Sequence, residues 1–182
     1  MEVKFININP EDIKQKLVKS GAKLVTSSRL MKRIVFGSEA NPLLKCTYAR
    51  IRDEGSQTTL SAKFSSMDGK ISSQKEICIE IDSFDHARDL LDSFGLIVTN
   101  YQESYRETWK TSNGTLVEIE EWPNLPIYIE IESDTILKLQ NVAQDLALEW
   151  SNHLVTTTDQ LYSKLYGVDG KELQIMMSRL EF

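Results

Sequence analysis

Charged residues recur two positions apart in several β-prone segments of this chain. Glu2 and Lys4, Arg50 and Arg52, Glu118 and Glu120, and Glu130 and Glu132 form such pairs. In a strand, residues two apart face the same side. The intervening positions are apolar: Val3 and Phe5, Ala49 and Ile51, Val117 and Ile119, and Ile127, Ile129 and Ile131. Lys63, Glu76 and Arg106 fall singly in segments that can join the charged face. Carboxylates gathered on one face are hard oxygen donors suited to Mg²⁺ or Mn²⁺. Arginine and lysine neutralise phosphate oxygens, arginine often through two parallel bonds. The plainer reading is a sheet with one wet face, which alternation alone supports. A same-face glutamate pair is harder to explain that way, because like charges side by side repel. Two such pairs together with an arginine pair point to a shared polar lumen that holds metal and a polyanion.

The elements that must carry these residues can be read along the chain. A short strand opens it at Glu2–Ile6. Asn9-Pro10-Glu11 then starts a helix with Ile13, Leu17 and Val18 on its apolar stripe, ended by Gly21. Strands are expected at about 29–36, 45–52, 58–65 and 71–81, with turns at 53–56 and 67–70. A helix from Ser83 to Phe94 follows, closed by Gly95. Further strands are expected at 98–110, 116–121 and 127–132, with Ser112-Asn113-Gly114 as a hairpin turn. Helices should span about 134–150 and 158–166, with a helical tail from Lys171. The expected fold is therefore α+β: about eight antiparallel strands with flanking helices, which suggests a closed or nearly closed β barrel.

Composition narrows the classes. The chain has 182 residues, of which 41% are hydrophobic and 26% charged, the composition of one globular domain. Its net charge is −6, which argues against a general nucleic-acid coat but leaves room for a local basic pocket. Cys46 and Cys78 are too few for a disulfide framework or a cysteine zinc site, and read as buried thiols. No apolar run reaches the roughly 20 residues of a membrane span, and no signal peptide is evident. A cytoplasmic protein with no membrane or nucleic-acid partner is expected, as a monomer or homodimer.

The charged strands resemble those of the CYTH domain, or triphosphate tunnel metalloenzymes. Met1-Glu2-Val3-Lys4-Phe5 is similar to the latter part of the family's E-x-E-x-K, whose first acid would fall before Met1. Tyr48-Ala49-Arg50-Ile51-Arg52 resembles its R-x-R strand, and Lys63 the lysine on the next strand. Lys75-Glu76-Ile77-Cys78-Ile79-Glu80 resembles its further acidic strand. Ser104-Tyr105-Arg106 is similar to the later basic strand, with serine where lysine is common. Glu120 to Glu132, with its Trp122–Pro126 turn, resembles the closing acid and E-x-E. The likeness implies a single domain over 1–182, with a core of about 1–166 and a helical tail from 167. Within the family it points to the class IV adenylate cyclase-like branch, which also contains phosphohydrolases.

The implied activity is divalent-metal-dependent chemistry on a triphosphate. The metal would sit on Glu130 and Glu132, with Glu2, Glu76, Glu118 or Glu120 assisting. Lys4, Arg50, Arg52, Lys63 and Arg106 would hold the phosphate chain. Glu2, Lys4, Glu130 and Glu132 would form the catalytic set. Hydrolysis of tripolyphosphate, a nucleoside triphosphate or thiamine triphosphate is favoured, because no residue can be picked out to grip adenine or aim a ribose hydroxyl. Cyclisation of ATP to cyclic AMP and pyrophosphate is the alternative. A non-catalytic binder of polyphosphate or nucleotide is a third reading. His86 and His153 lie on or beside helices, away from this chemistry. Trp109, Trp122 and Trp150 read as packing residues. Lys164 reads as part of a solvated helix face, and Arg33 as able to point inward from the second strand.

Overall fold

The computed structural model describes residues 1–64 and 75–182. The turn expected at 67–70 and the first residues of the strand expected from Ile71 lie outside the described residues. Among the described residues the chain forms nine strands and five α-helices. The strands are β1 (Glu2–Phe5), β2 (Lys23–Gly37), β3 (Tyr48–Asp53), β4 (Thr58–Phe64), β5 (Lys75–Ile81), β6 (Asn100–Lys110), β7 (Leu116–Glu121), β8 (Tyr128–Glu132) and β9 (Arg179–Leu180). The helices are α1 (Pro10–Lys19), α2 (Phe84–Ser93), α3 (Ile136–Asp145), α4 (Thr158–Tyr166) and α5 (Gly170–Ser178). The hydrogen-bonded order is β1-β8-β7-β6-β2-β3-β4-β5, with β9 added to β6. The fold is thus the expected α+β arrangement of antiparallel strands with flanking helices. No pairing joins β1 to β5 among the described residues, so the ladder is open there.

The chain divides into two compact units. One comprises Met1–Arg29 and Ser104–Leu173; the other comprises Leu30–Glu103 and Gln174–Phe182. In the first unit, α1 forms because Asn9 caps it: its side chain accepts from the amides of Glu11 at 3.0 Å and Asp12 at 3.2 Å. Pro10 fits the first turn, where an amide proton would lack a partner anyway. Ile13 and Leu17 then meet Leu139, Val142, Ala143 and Leu146 of the α3 region over the apolar face of the sheet. That face is Val3 and Phe5, Ile129 and Ile131, Val117 and Ile119, and Trp109. Burial of each large aliphatic chain contributes about 1.5–3 kcal/mol. With every second residue committed to this core, the charged residues between them must face the other way.

α3 stops at Asp145, short of the expected Trp150. Ala147 is in the left-handed region at φ 53, which breaks the helix, and a 3₁₀ turn at Trp150–Asn152 follows. The chain then passes along β1, where Lys4 and Leu154 exchange two backbone hydrogen bonds of 2.9 Å. This bridge partly covers the free edge of β1. α4 begins at a capping box made by Thr157 and Gln160 and ends at Gly167, whose φ of 67 favours glycine.

In the second unit, Ile34, Phe36, Ala49 and Ile51 form a smaller core, joined by Leu60 and by Phe84, Ala87 and Leu91 of α2. Cys46 precedes β3 and is only half-buried, and Cys78 is exposed, so the expectation of two buried thiols is corrected. The reason lies in β5: it ends the strand order, and Cys78 falls on its polar face between Glu76 and Glu80. The C-terminal tail is helical as expected through α5, but ends as β9. That strand pairs in parallel with Tyr101 and Gln102. No helix is long and apolar enough to cross a membrane among the described residues.

Candidate active site

The charged face of the first unit is set by strand register. Lys4, Glu130, Glu118 and Thr108 stand opposite one another across β1, β8, β7 and β6. The row to one side holds Tyr128, Glu120 and Arg106. The row to the other holds Glu2, Glu132, Leu116 and Lys110. Carboxylate oxygens of Glu118, Glu120 and Glu130 all lie within 4.8 Å of one another. Glu132 is exposed at the end of β8, and Glu2 is half-exposed opposite it. The structure therefore groups Glu130 with Glu118 and Glu120. Glu132, placed beside Glu130 in the sequence-based metal set, stands one row away.

Two cations answer these acids. Arg106 is bonded to Glu120, lies 2.8 Å from Glu118 and is 3.9 Å from Glu130. Lys4 is 2.8 Å from Glu130 and also bonds Glu2. Four carboxylates thus face two cations. Burial pushes the Glu118 carboxyl up to about 7 against the pull of Arg106, with help from the negative charges of Glu120, Glu130 and Glu132. Burial also raises Glu120, which is 1% exposed and accepts from the Trp122 indole at 2.9 Å. Burial disfavours the charges of Arg106 and Lys4. Glu120 and Glu118 outweigh it at Arg106, and Glu130 outweighs it at Lys4, so both are held above their ordinary values. Oxygen-only donors, close spacing and an excess of negative charge fit a hard divalent cation such as Mg²⁺ or Mn²⁺.

Tyr128 also lines this face. It shares the row of Glu120, is 1% exposed, and its hydroxyl lies 3.3 Å from the Thr158 hydroxyl at the start of α4. Burial and the nearby Glu120 and Glu130 charges raise its phenol well above the usual value, so it stays neutral. An aromatic residue within an acidic row carries no signal in a charge pattern.

The second unit carries the basic face. Arg33 stands opposite Arg52, and Arg52 opposite Thr59. Arg50 stands between Val35 and Ser61, and Lys63 between Tyr48 and Glu76. Arg33 shares the face of Arg50 and Arg52, as its place in the second strand allows, and its Nε donates to Gln102 at 2.7 Å. Arg52 lies 3.5 Å from Glu54. The Glu76 carboxylate bridges Arg50 and Lys63, each at 3.2 Å. Glu76, named in the metal set from sequence, is here the counter-ion of two bases. Despite burial, Lys63 and Arg50 hold its carboxyl below the usual range. Burial and the Arg52 charge push the Arg50 guanidinium down to about 10.

The fold has solved counterparts. A candidate adenylate cyclase from Vibrio parahaemolyticus superimposes with a TM-score of 0.69 at 12% identity, over 90% of this chain and 97% of that one. A conserved hypothetical protein from Pyrococcus furiosus gives 0.67 at 19% identity, over 88% and 98%. HpAC1 from Hippeastrum, described as having a dominant triphosphatase activity, gives 0.59 at 14% identity, over 93% and 97%. No family model matches the chain, and no curated protein matches it in sequence. These likenesses show a common fold, and the fold agrees with the resemblance carried by the strand motifs.

Proposed function

We propose that the protein is a divalent-metal-dependent enzyme that hydrolyses a triphosphate. The observation that carries this reading is the group of Glu118, Glu120 and Glu130, three buried or mostly buried carboxylates converging within 4.8 Å beside Arg106 and Lys4. Mg²⁺ or Mn²⁺ held there would neutralise charge developing on the phosphate oxygens. Glu118, Glu120 and Glu130 are the proposed ligands, with Glu2 and Glu132 flanking them. Arg50, Arg52 and Lys63 bind phosphate oxygens, as do Lys4 and Arg106 once relieved of the carboxylates they now neutralise. The plainer reading of a sheet with one wet face is disfavoured by the row geometry: such a face gains nothing from two glutamates directly opposite, as Glu118 and Glu130 are. Residues 1–182 act in this reading as one domain.

HpAC1, which shares the fold, is described as a dominant triphosphatase, and this supports hydrolysis. The fold shared with the Vibrio protein supports the second reading, cyclisation of ATP. Purified protein incubated with tripolyphosphate, thiamine triphosphate and ATP, each with Mg²⁺ and Mn²⁺, separates the two. Orthophosphate release that needs the metal is expected. Cyclic AMP as the main ATP product, without phosphate from tripolyphosphate, would favour the second reading.

A further inference from the structure

Two buried polar atoms on the basic face have no hydrogen-bond partner among the described residues: Nε of Arg50 and Oγ of Ser61. Both residues are more than nine-tenths buried, at 6% and 2% exposure. They are direct cross-strand partners on β3 and β4, so their side chains leave the same face side by side. Buried polar atoms are almost always satisfied, and leaving one unsatisfied is costly. Here two neighbours share the fault, and both are able to donate.

The surroundings specify what would satisfy them. Lys63 and Thr59 flank Ser61 on the same face of β4, and Arg52 flanks Arg50 on β3. Lysine and arginine only donate hydrogen bonds. The nearest acid, Glu76, already spends its two oxygens on Arg50 Nη2 and Lys63 Nζ. It lies close enough to Ser61 for the hydroxyl to help hold it ionised, yet the geometry leaves Oγ without a formed bond. The position therefore lacks an acceptor, and the surrounding bases favour an anionic one.

We propose that Ser61 Oγ and Arg50 Nε form a two-donor seat for one phosphoryl oxygen, making Ser61 a substrate-binding residue. The proposal rests on the triphosphate reading and deepens it. The strand pattern shows only the arginine and lysine charges; the seat adds a neutral donor that fixes where an oxygen lies between them. A phosphoryl group takes the place of the Glu76 carboxylate, which is about a third exposed and can swing outward. Its further oxygens then meet Arg50 Nη2 and Lys63, which Glu76 has left.

The test is calorimetric titration of the full chain with inorganic tripolyphosphate in the presence of Mg²⁺, with phosphate release measured separately. Ser61→Ala should bind about tenfold more weakly, the loss of one hydrogen bond to a charged group. Its ligand-free melting temperature should equal or exceed that of the wild type, because an unsatisfied hydroxyl has been removed. Arg50→Lys keeps the charge but lacks Nε, and should also weaken binding; it serves if Ser61→Ala folds poorly. Unchanged affinity in both variants would overturn the seat while leaving the hydrolase reading intact. Weakened binding in the variants of a wild type that binds but releases no phosphate would support the seat and refute hydrolysis. A wild type that does not bind tripolyphosphate would overturn the seat as well.

Discussion

Glu118 and Glu130 stand directly opposite each other on β7 and β8, and both carboxylates converge with that of Glu120. Facing like charges destabilise a strand pair. Arg106 and Lys4 each answer part of this repulsion, Arg106 from Glu118 and Glu120 and Lys4 from Glu130. The arrangement trades stability for a concentrated set of oxygen donors, the pattern expected of a functional site.

Removing one of these donors should weaken metal binding without loss of fold. Glu118→Gln and Glu130→Gln keep the shape and hydrogen-bonding capacity but remove an anion. Mn²⁺ affinity measured by calorimetry should fall at least about tenfold, on the scale of one lost charge-assisted contact. The melting temperature of the metal-free Glu118→Gln protein should not drop, because a repulsion is relieved. Equal Mn²⁺ affinity in wild type and both variants would count against this ligand set.

Arg106 is expected to be structural as well as functional in the absence of metal. Replacing it with Met leaves the Glu118 and Glu120 charges buried without a partner. Breaking a buried ion pair in this way costs about 3–5 kcal/mol. Chemical unfolding in EDTA should show that loss, and added Mn²⁺ should recover much of it. A variant as stable as wild type in EDTA would show that the carboxylates are not held by this cation.

The Glu118 carboxyl gives the metal-free protein a pH signature. It titrates near 4.5 when unfolded and near 7 when folded. Between those values the folded chain keeps a proton that the unfolded chain has released. Its contribution to stability is therefore fully present below about 4.5 and is lost as pH rises through about 7. Urea unfolding of wild type and Glu118→Gln across this range should show the wild type losing stability relative to the variant as pH rises. A constant difference would contradict the environment described for Glu118. Since metal displaces the proton, Mn²⁺ affinity of the wild type should also strengthen over the same rise.

Much of this was legible in the sequence, and the rest was not for a definite reason. Alternation along Val117-Glu118-Ile119-Glu120 and Ile129-Glu130-Ile131-Glu132 gives the inward and outward faces, because side-chain period is local. Which carboxylates meet depends on register between strands, which is not local. Hence Glu130 groups with Glu118 and Glu120 across β7 and β8, where sequence reasoning centred the metal on Glu130 and Glu132. Glu76 likewise reads as one more acid until the β4–β5 register sets it opposite Lys63. β9 is only two residues long and pairs with β6 far away in the chain, so it leaves no periodic trace. Cys78 reads as buried from its residue type, yet it lies on the Glu76–Glu80 face of β5, which ends the strand order, and is exposed there.

The basic face should govern polyphosphate affinity. The double variant Arg50→Ala/Arg52→Ala loses two charge-assisted contacts, each about 1.5–3 kcal/mol. Tripolyphosphate binding should weaken by at least about a hundredfold and wild-type affinity should fall with added salt. Equal binding by wild type and double variant would defeat the assignment of these arginines.

The most direct test of the central claim is orthophosphate release from tripolyphosphate, titrated with Mn²⁺, for wild type and Glu130→Gln side by side. Turnover by the wild type that vanishes in EDTA is expected, with little or none by the variant at limiting Mn²⁺. Wild-type turnover that persists in EDTA, or a Glu130→Gln protein matching the wild type at every Mn²⁺ concentration, would contradict it.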